Sequence, residues 1–102
     1  MTAKVFISQP MRGKSDEEIL EKRREIKDYI QNMTHVMDIE IIDSFFRGAP
    51  AGANPLWFLG KSLELMSTAD IVFFCKGWDD ARGCKIEHEA ATAYGLNVIY
   101  EK

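Results

Sequence analysis

The chain has 102 residues, enough for one small domain and too few for two independent cores. Apolar residues make up 46% and charged residues 28%, an ordinary globular balance; 13 Lys plus Arg against 16 Asp plus Glu leave a formal charge of −3. That charge excludes a broadly basic nucleic-acid surface, and no apolar run approaches the ~20 residues of a membrane span.

The N-terminal MTAKVFIS lacks a signal-peptide core and cleavage site, so a cytosolic domain spanning residues 1–102 is expected. Cys75 and Cys84 then read as free thiols. With His35 and His88 they match no zinc-finger spacing, and no structural metal is expected.

Residues 4–8 form a nearly continuous apolar run, as in a strand covered on both faces. Gln9-Pro10 stops it, and residues 11–14 read as a loop. Ser15 with Glu18 is a capping box, and Asp16 and Glu17 place acid in the first turn of a helix over 16–32. Ile19, Ile26, Ile30 and Met33 line its inner stripe, widened by Leu20 and Tyr29. Lys22, Arg23 and Arg24 are expected on or beside the opposite face.

A second strand is expected over 36–43, then a long loop through Arg47 and Gly48. Asn54-Pro55 supplies a cap and an N1 proline for a helix over 55–67. Leu56, Leu59, Leu63 and Met66 form its inner stripe. Trp57, Phe58 and Leu65 exceed what one face needs, and either a subunit interface or wide burial accounts for them. A third strand over 69–75, a loop through Asp79 to Gly83, a helix over 84–94 and a strand over 97–100 complete the pattern, with Gly95 at a C′ position.

The alternation β-α-β-α-β-α-β predicts a parallel sheet with helices on both faces, a flavodoxin-like three-layer sandwich of strand order 2-1-3-4. Such sheets bind ligands beyond the carboxyl ends of their strands, at the switch point between the first and third. Two loops are selected, residues 8–14 and 76–83, with the helix start beyond the second.

On that edge Glu87 is the residue most suited to chemistry. It is expected near a helix N-terminus, which favours its ionised form. A positioned carboxylate can attack an anomeric carbon, and Ala90 and Ala91 leave room beside it. The plain alternative is a carboxylate that caps or solvates the helix. His88 reads as a surface residue and His35 as a loop residue, and no Ser-His-Asp or Cys-His set assembles. Arg12-Gly13-Lys14 before a helix can hold a phosphate or other anion, or is a solvated loop. No phosphate-binding G-x-x-x-x-G-K or dinucleotide G-x-G-x-x-G motif is present. Trp78 is placed to stack on a base and Asp79 or Asp80 to accept from a ribose hydroxyl; the alternatives are a lid over the sheet edge and a solvated turn. Asp43 and Arg47 stand at the end of the second strand, also within reach of a ligand.

Val5 to Gly13, Ala69-Asp70-Ile71-Val72, Gly77-Trp78-Asp79-x-x-Arg82-Gly83-x-x-x-Glu87 and Ala90-x-x-Ala93-x-Gly95-x-x-Val98-Ile99 together resemble the nucleoside 2-deoxyribosyltransferase superfamily. Nearest in pattern is a small, uncharacterised branch of phage and bacterial proteins of this length. The resemblance covers nearly the whole chain and implies the same flavodoxin-like fold. It implies that Glu87 attacks C1′ of a deoxyribosyl group, and that the intermediate passes to another base or to water. Related 2′-deoxynucleoside 5′-phosphate N-hydrolases have a similar first loop ending in Arg-Gly, matched by Arg12-Gly13.

The resemblance therefore implies a substrate-binding set of Ser8, Gln9, Met11, Arg12 and Gly13 on the sugar or phosphate side. Trp78, Asp79 and Gly83 shape the mouth. The carboxylate does the covalent work, so no cofactor or metal is expected. Ser62 stands where the family usually has an aspartate, and Ala81 where it has Asp or Ser. Given the short chain and the apolar second helix, the pocket is expected to be completed by a second subunit, with no nucleic-acid polymer or membrane as partner. Two functions follow: an enzyme acting on the N-glycosidic bond of a nucleoside or nucleotide, or a nucleotide-sensing module that kept the pocket without turnover. An interaction protein on the same scaffold is the third reading.

Overall fold

The structure is a computed structural model and describes residues 2–34, 38–44 and 49–102. His35, Arg47 and the expected start of the second strand at Val36 lie outside the described residues. The elements run β1 (Thr2–Ser8), α1 (Asp16–Thr34), β2 (Asp38–Ile41), α2 (Pro55–Met66), β3 (Ile71–Phe74), a 3-10 turn (Trp78–Asp80), α3 (Arg82–Ala93) and β4 (Val98–Tyr100). All strand pairs are parallel, in the flavodoxin-like order β2-β1-β3-β4.

Alternation along the strands divides the core. Val5, Ile7, Ile39, Ile71 and Phe73 point to one face and pack with Ile26 and Ile30 of α1. Phe6, Val72 and Phe74 point to the other and pack with Met66 of α2 and Ala91 of α3. Phe6, Phe73 and Phe74 are fully buried, each contributing about 1.5–3 kcal/mol by leaving water. Three layers result, with α1 on one side and α2 and α3 on the other.

The local signals behave as chemistry requires. Ser15 Oγ accepts from the Glu18 amide at 3.1 Å, and Glu18 Oε1 accepts from the Ser15 amide at 3.2 Å. Asn54 Oδ1 accepts from the Trp57 amide at 3.0 Å. Gly95, at φ +70°, ends α3 in the left-handed conformation expected of C′.

Four expectations need correction. Arg23 is 6% exposed, not on the outer face of α1. It lies four residues after Ile19 and three before Ile26, which puts it on the inner stripe. Met33 is exposed, one turn past the last inward residue, Ile30. Leu56 is 72% exposed, whereas Met66 of the same stripe is in the core and Leu63 packs against it. Finally, α3 starts at Arg82 and takes Gly83 into its first turn, so Glu87 stands in the second turn. Among the described residues no helix is long and apolar enough to cross a membrane.

Candidate active site

Strand alternation and helix periodicity converge on one pair of side chains. Ser8 is the last residue of β1 and shares the face of Phe6, toward α3. On α3 the buried positions are Cys84, Glu87 and Ala91, a stripe at i, i+3 and i+7. Glu87 therefore points inward over the end of β1, and Ser8 Oγ donates to Glu87 Oε1 at 2.6 Å. The small Ala90 and Ala91 keep the helix close to the layer of Phe6 and Phe74.

Burial decides the electrostatics of this carboxylate. Glu87 is only 7% exposed, and desolvation pushes its pKa above the ordinary carboxylate value. The Ser8 and Ser62 hydroxyls and the charge of Arg23 pull the other way without cancelling it. The net shift is thus upward, opposite to the lowering expected of a helix N-terminus. In the second turn the amides are already used within the helix, and the dipole effect has decayed.

A cavity of about 270 Å³ opens beside Glu87 at the switch point between β1 and β3. Gln9 and Met11 line it from the end of β1, and Phe58 and Ser62 from α2. Ala81, Gly83 and Cys84 close it at the start of α3, and Ser44 stands on its wall beyond β2. Of the sequence-selected residues, Glu87, Gln9, Met11 and Gly83 are on the wall, and Ser8 bonds Glu87. Arg12 and Gly13 are not on it. They form an exposed turn in which the Lys14 amide donates to the Met11 carbonyl at 3.1 Å, with Gly13 at φ +79°.

Trp78 and Asp79 are not on the wall either. Trp78 stacks on His88 with ring centroids 4.0 Å apart and leans on Phe74. His88 Nε2 and Tyr100 Oη share a 2.6 Å hydrogen bond, so the half-buried His88 belongs to this aromatic cluster. Asp79 sits exposed in the 3-10 turn.

Beneath the first loop lies an arrangement the sequence reading missed. Arg23 Nε donates to Gln9 Oε1 at 3.1 Å, and Gln9 Nε2 donates to the Ile19 carbonyl at 3.2 Å. The Gln9 amide is thereby fixed in orientation. Desolvation lowers the Arg23 pKa, against the charges of Asp43 and Glu87. The signal for Arg23 was its register with Ile19, Ile26 and Ile30; Ser44 had none, since a serine after a strand reads as a turn.

A larger hollow of about 890 Å³ lies along α1, lined by Lys14, Lys76 and Glu101 among others, and it does not contain Glu87. There Glu101 pairs with Lys22 and accepts from the Lys76 amide at 2.8 Å. Both cysteines are free and buried. Desolvation pushes Cys75 up to about 12 and also raises Cys84, so neither is a thiolate at neutral pH. Among the described residues no three His, Cys, Asp or Glu side chains converge as a metal site.

The sequence profile of DUF4406, a domain of unknown function, matches residues 3–100, and the chain belongs to that family. No curated protein matches it. Among solved structures, a conserved protein from Enterococcus faecalis V583 shares the fold at TM-score 0.68 and 16% identity. The match covers 98% of this chain and 63% of that one, so the chain spans less than two thirds of that protein's length.

Proposed function

We propose that this DUF4406 protein acts on the N-glycosidic bond of a 2′-deoxynucleoside or its 5′-monophosphate, with Glu87 as nucleophile. One observation carries the reading: a buried carboxylate, gripped at 2.6 Å by Ser8, beside a small cavity at the sheet's switch point. The resemblance of Gly83-x-x-x-Glu87 and of the first loop to the deoxyribosyltransferase pattern supplies the substrate class.

In this scheme an oxygen of ionised Glu87 attacks C1′ as the C1′–N bond breaks. The bond's electron pair leaves with the base, which takes a proton from water. A glycosyl ester on Glu87 remains. Water then attacks C1′ and gives the free sugar, or the nitrogen of a second base attacks and gives a new nucleoside; either restores the carboxylate. Ser8 holds Oε1 and favours the charged form, while the apolar walls strengthen the nucleophile by excluding water. The scheme uses no cofactor. A second copy of the chain completing the pocket, and a cytosolic setting, belong to the same reading.

A nucleotide-binding module without turnover is the second reading. It is favoured by the cavity wall, where Ser62 stands at the position of a usual aspartate and Ala81 at that of an Asp or Ser in the deoxyribosyltransferase pattern, and where, among the described residues, Glu87 is the only acid. Base release separates the two. Deoxynucleosides and their 5′-monophosphates are incubated with and without an acceptor base, and products are resolved by liquid chromatography beside Glu87→Gln. Release that disappears in the variant is the expected result. Absence of release from every member, with nucleoside affinity retained, would leave the binding module.

A further inference from the structure

The cavity beside Glu87 contains a polar group that the chain leaves unused. Ser44 follows β2, two residues beyond Ile42, whose amide still donates to the Val5 carbonyl at 2.9 Å. Strand alternation puts it on the face of Ile42 and Phe6, and it stands on the cavity wall. Ser44 is 5% exposed, and its hydroxyl has no hydrogen-bond partner among the described residues. A buried hydroxyl is costly until something bonds it. Arg23 Nη2 is also buried without a partner, but Arg23 is not on this wall.

The charge of the wall indicates what that partner is. Among its described residues Glu87 is the only charged group, and no Lys, Arg or His faces the cavity. A phosphate there meets a carboxylate and no cation, whereas a neutral hydroxyl suits Ser44. The volume, about 270 Å³, lies below the roughly 300–1,000 Å³ of drug-sized pockets and fits a single small ring with its substituents. Ser8, which grips Glu87, ends β1, and Ser44 follows the neighbouring strand β2, which pairs with β1 through Ile41. The staggered rotamers of serine let Oγ turn toward a ligand in the cavity.

We infer that Ser44 is a specificity residue that hydrogen-bonds a sugar hydroxyl of the ligand whose anomeric carbon faces Glu87. The inference rests on the glycosidic reading above. Its test is a cycle between protein and ligand. Base-release kcat/KM is measured for a 2′-deoxynucleoside and for its analogues lacking the 3′- or the 5′-hydroxyl, with the wild-type protein and with Ser44→Ala. The same ligands are titrated by calorimetry into Glu87→Gln protein with Ser44 present or replaced by Ala. Deleting the bonded hydroxyl should lower kcat/KM about five- to tenfold in the wild type and less than twofold in Ser44→Ala. Equal losses in both proteins for both analogues overturn the assignment. Coupling in affinity without any base release retires the glycosidic reading and leaves Ser44 as the hydroxyl anchor of a binding module. If no nucleoside binds or reacts, both are wrong.

Discussion

Ser8 and Glu87, 79 positions apart in the chain, meet at 2.6 Å where β1 ends beneath the second turn of α3. The serine donates, so it favours the charged carboxylate, against the burial that opposes it. Replacing Ser8 with Ala removes the donor and raises the Glu87 pKa further. The acid limb of the base-release pH profile should then move to higher pH, with activity recovering as the pH rises. An unmoved limb would mean that another group sets it.

The same carboxylate gives stability a pH dependence of definite sign. Its folded pKa lies above the ordinary 4.5 of the unfolded chain. Its stability contribution is fully present below the unfolded value and is lost as pH rises through the folded value. Glu87→Gln carries no such loss. Thermal unfolding followed by circular dichroism should show the variant gaining on the wild type between pH 4 and pH 8. A variant that instead loses ground to the wild type over that interval contradicts the burial argument.

Strand order and the starts of α1 and α2 were legible because they depend on local signals: alternation, the Ser15–Glu18 box, the Asn54-Pro55 cap. Arg23 was not, because charge outweighed register in the reading of α1. Its interior place depends on Gln9, 14 positions away, whose Oε1 accepts from the Arg23 Nε–H. The direction of the Glu87 pKa shift escaped the sequence for a related reason. Arg82 and Gly83 extend α3 toward its N-terminus, and the burial that sets the pKa is made by β1 and α2, remote in sequence.

Gln9 and Arg23 form an interior pair whose disruption is measurable. Gln9→Ala leaves the Arg23 Nε without its acceptor in a buried setting. The expected cost is roughly 1.5–3 kcal/mol, read from denaturant unfolding. Arg12→Ala, at an exposed turn, should change stability by about 0.5 kcal/mol or less. Similar effects from both would refute a structural role for the Gln9 amide.

Trp78 separates packing from ligand contact. Its ring stacks on His88 and packs against Phe74, away from the cavity wall. Trp78→Ala should cost about 2 kcal/mol, less than a fully buried aromatic because the residue is half-buried. Ligand affinity at a temperature where the variant is folded should stay within about twofold of the wild type. A large loss of affinity at unchanged stability would return Trp78 to the mouth of the site.

The cysteines test the interior directly. Cys75 lies at the end of β3 with its thiol raised to about 12 by burial, and Cys84 is raised on the inner stripe of α3. At pH 8 a thiol of pKa about 12 is ionised at roughly one part in 10⁴, and the attacking species in alkylation is the thiolate. Iodoacetamide at pH 8 should therefore leave both cysteines of the folded protein unmodified on the timescale that labels a free thiol in seconds to minutes. In guanidinium chloride both should react, with a mass increase of two carbamidomethyl groups. Rapid labelling of the native protein would mean that the α1 face of the sheet, which holds Cys75, or the start of α3 opens without global unfolding.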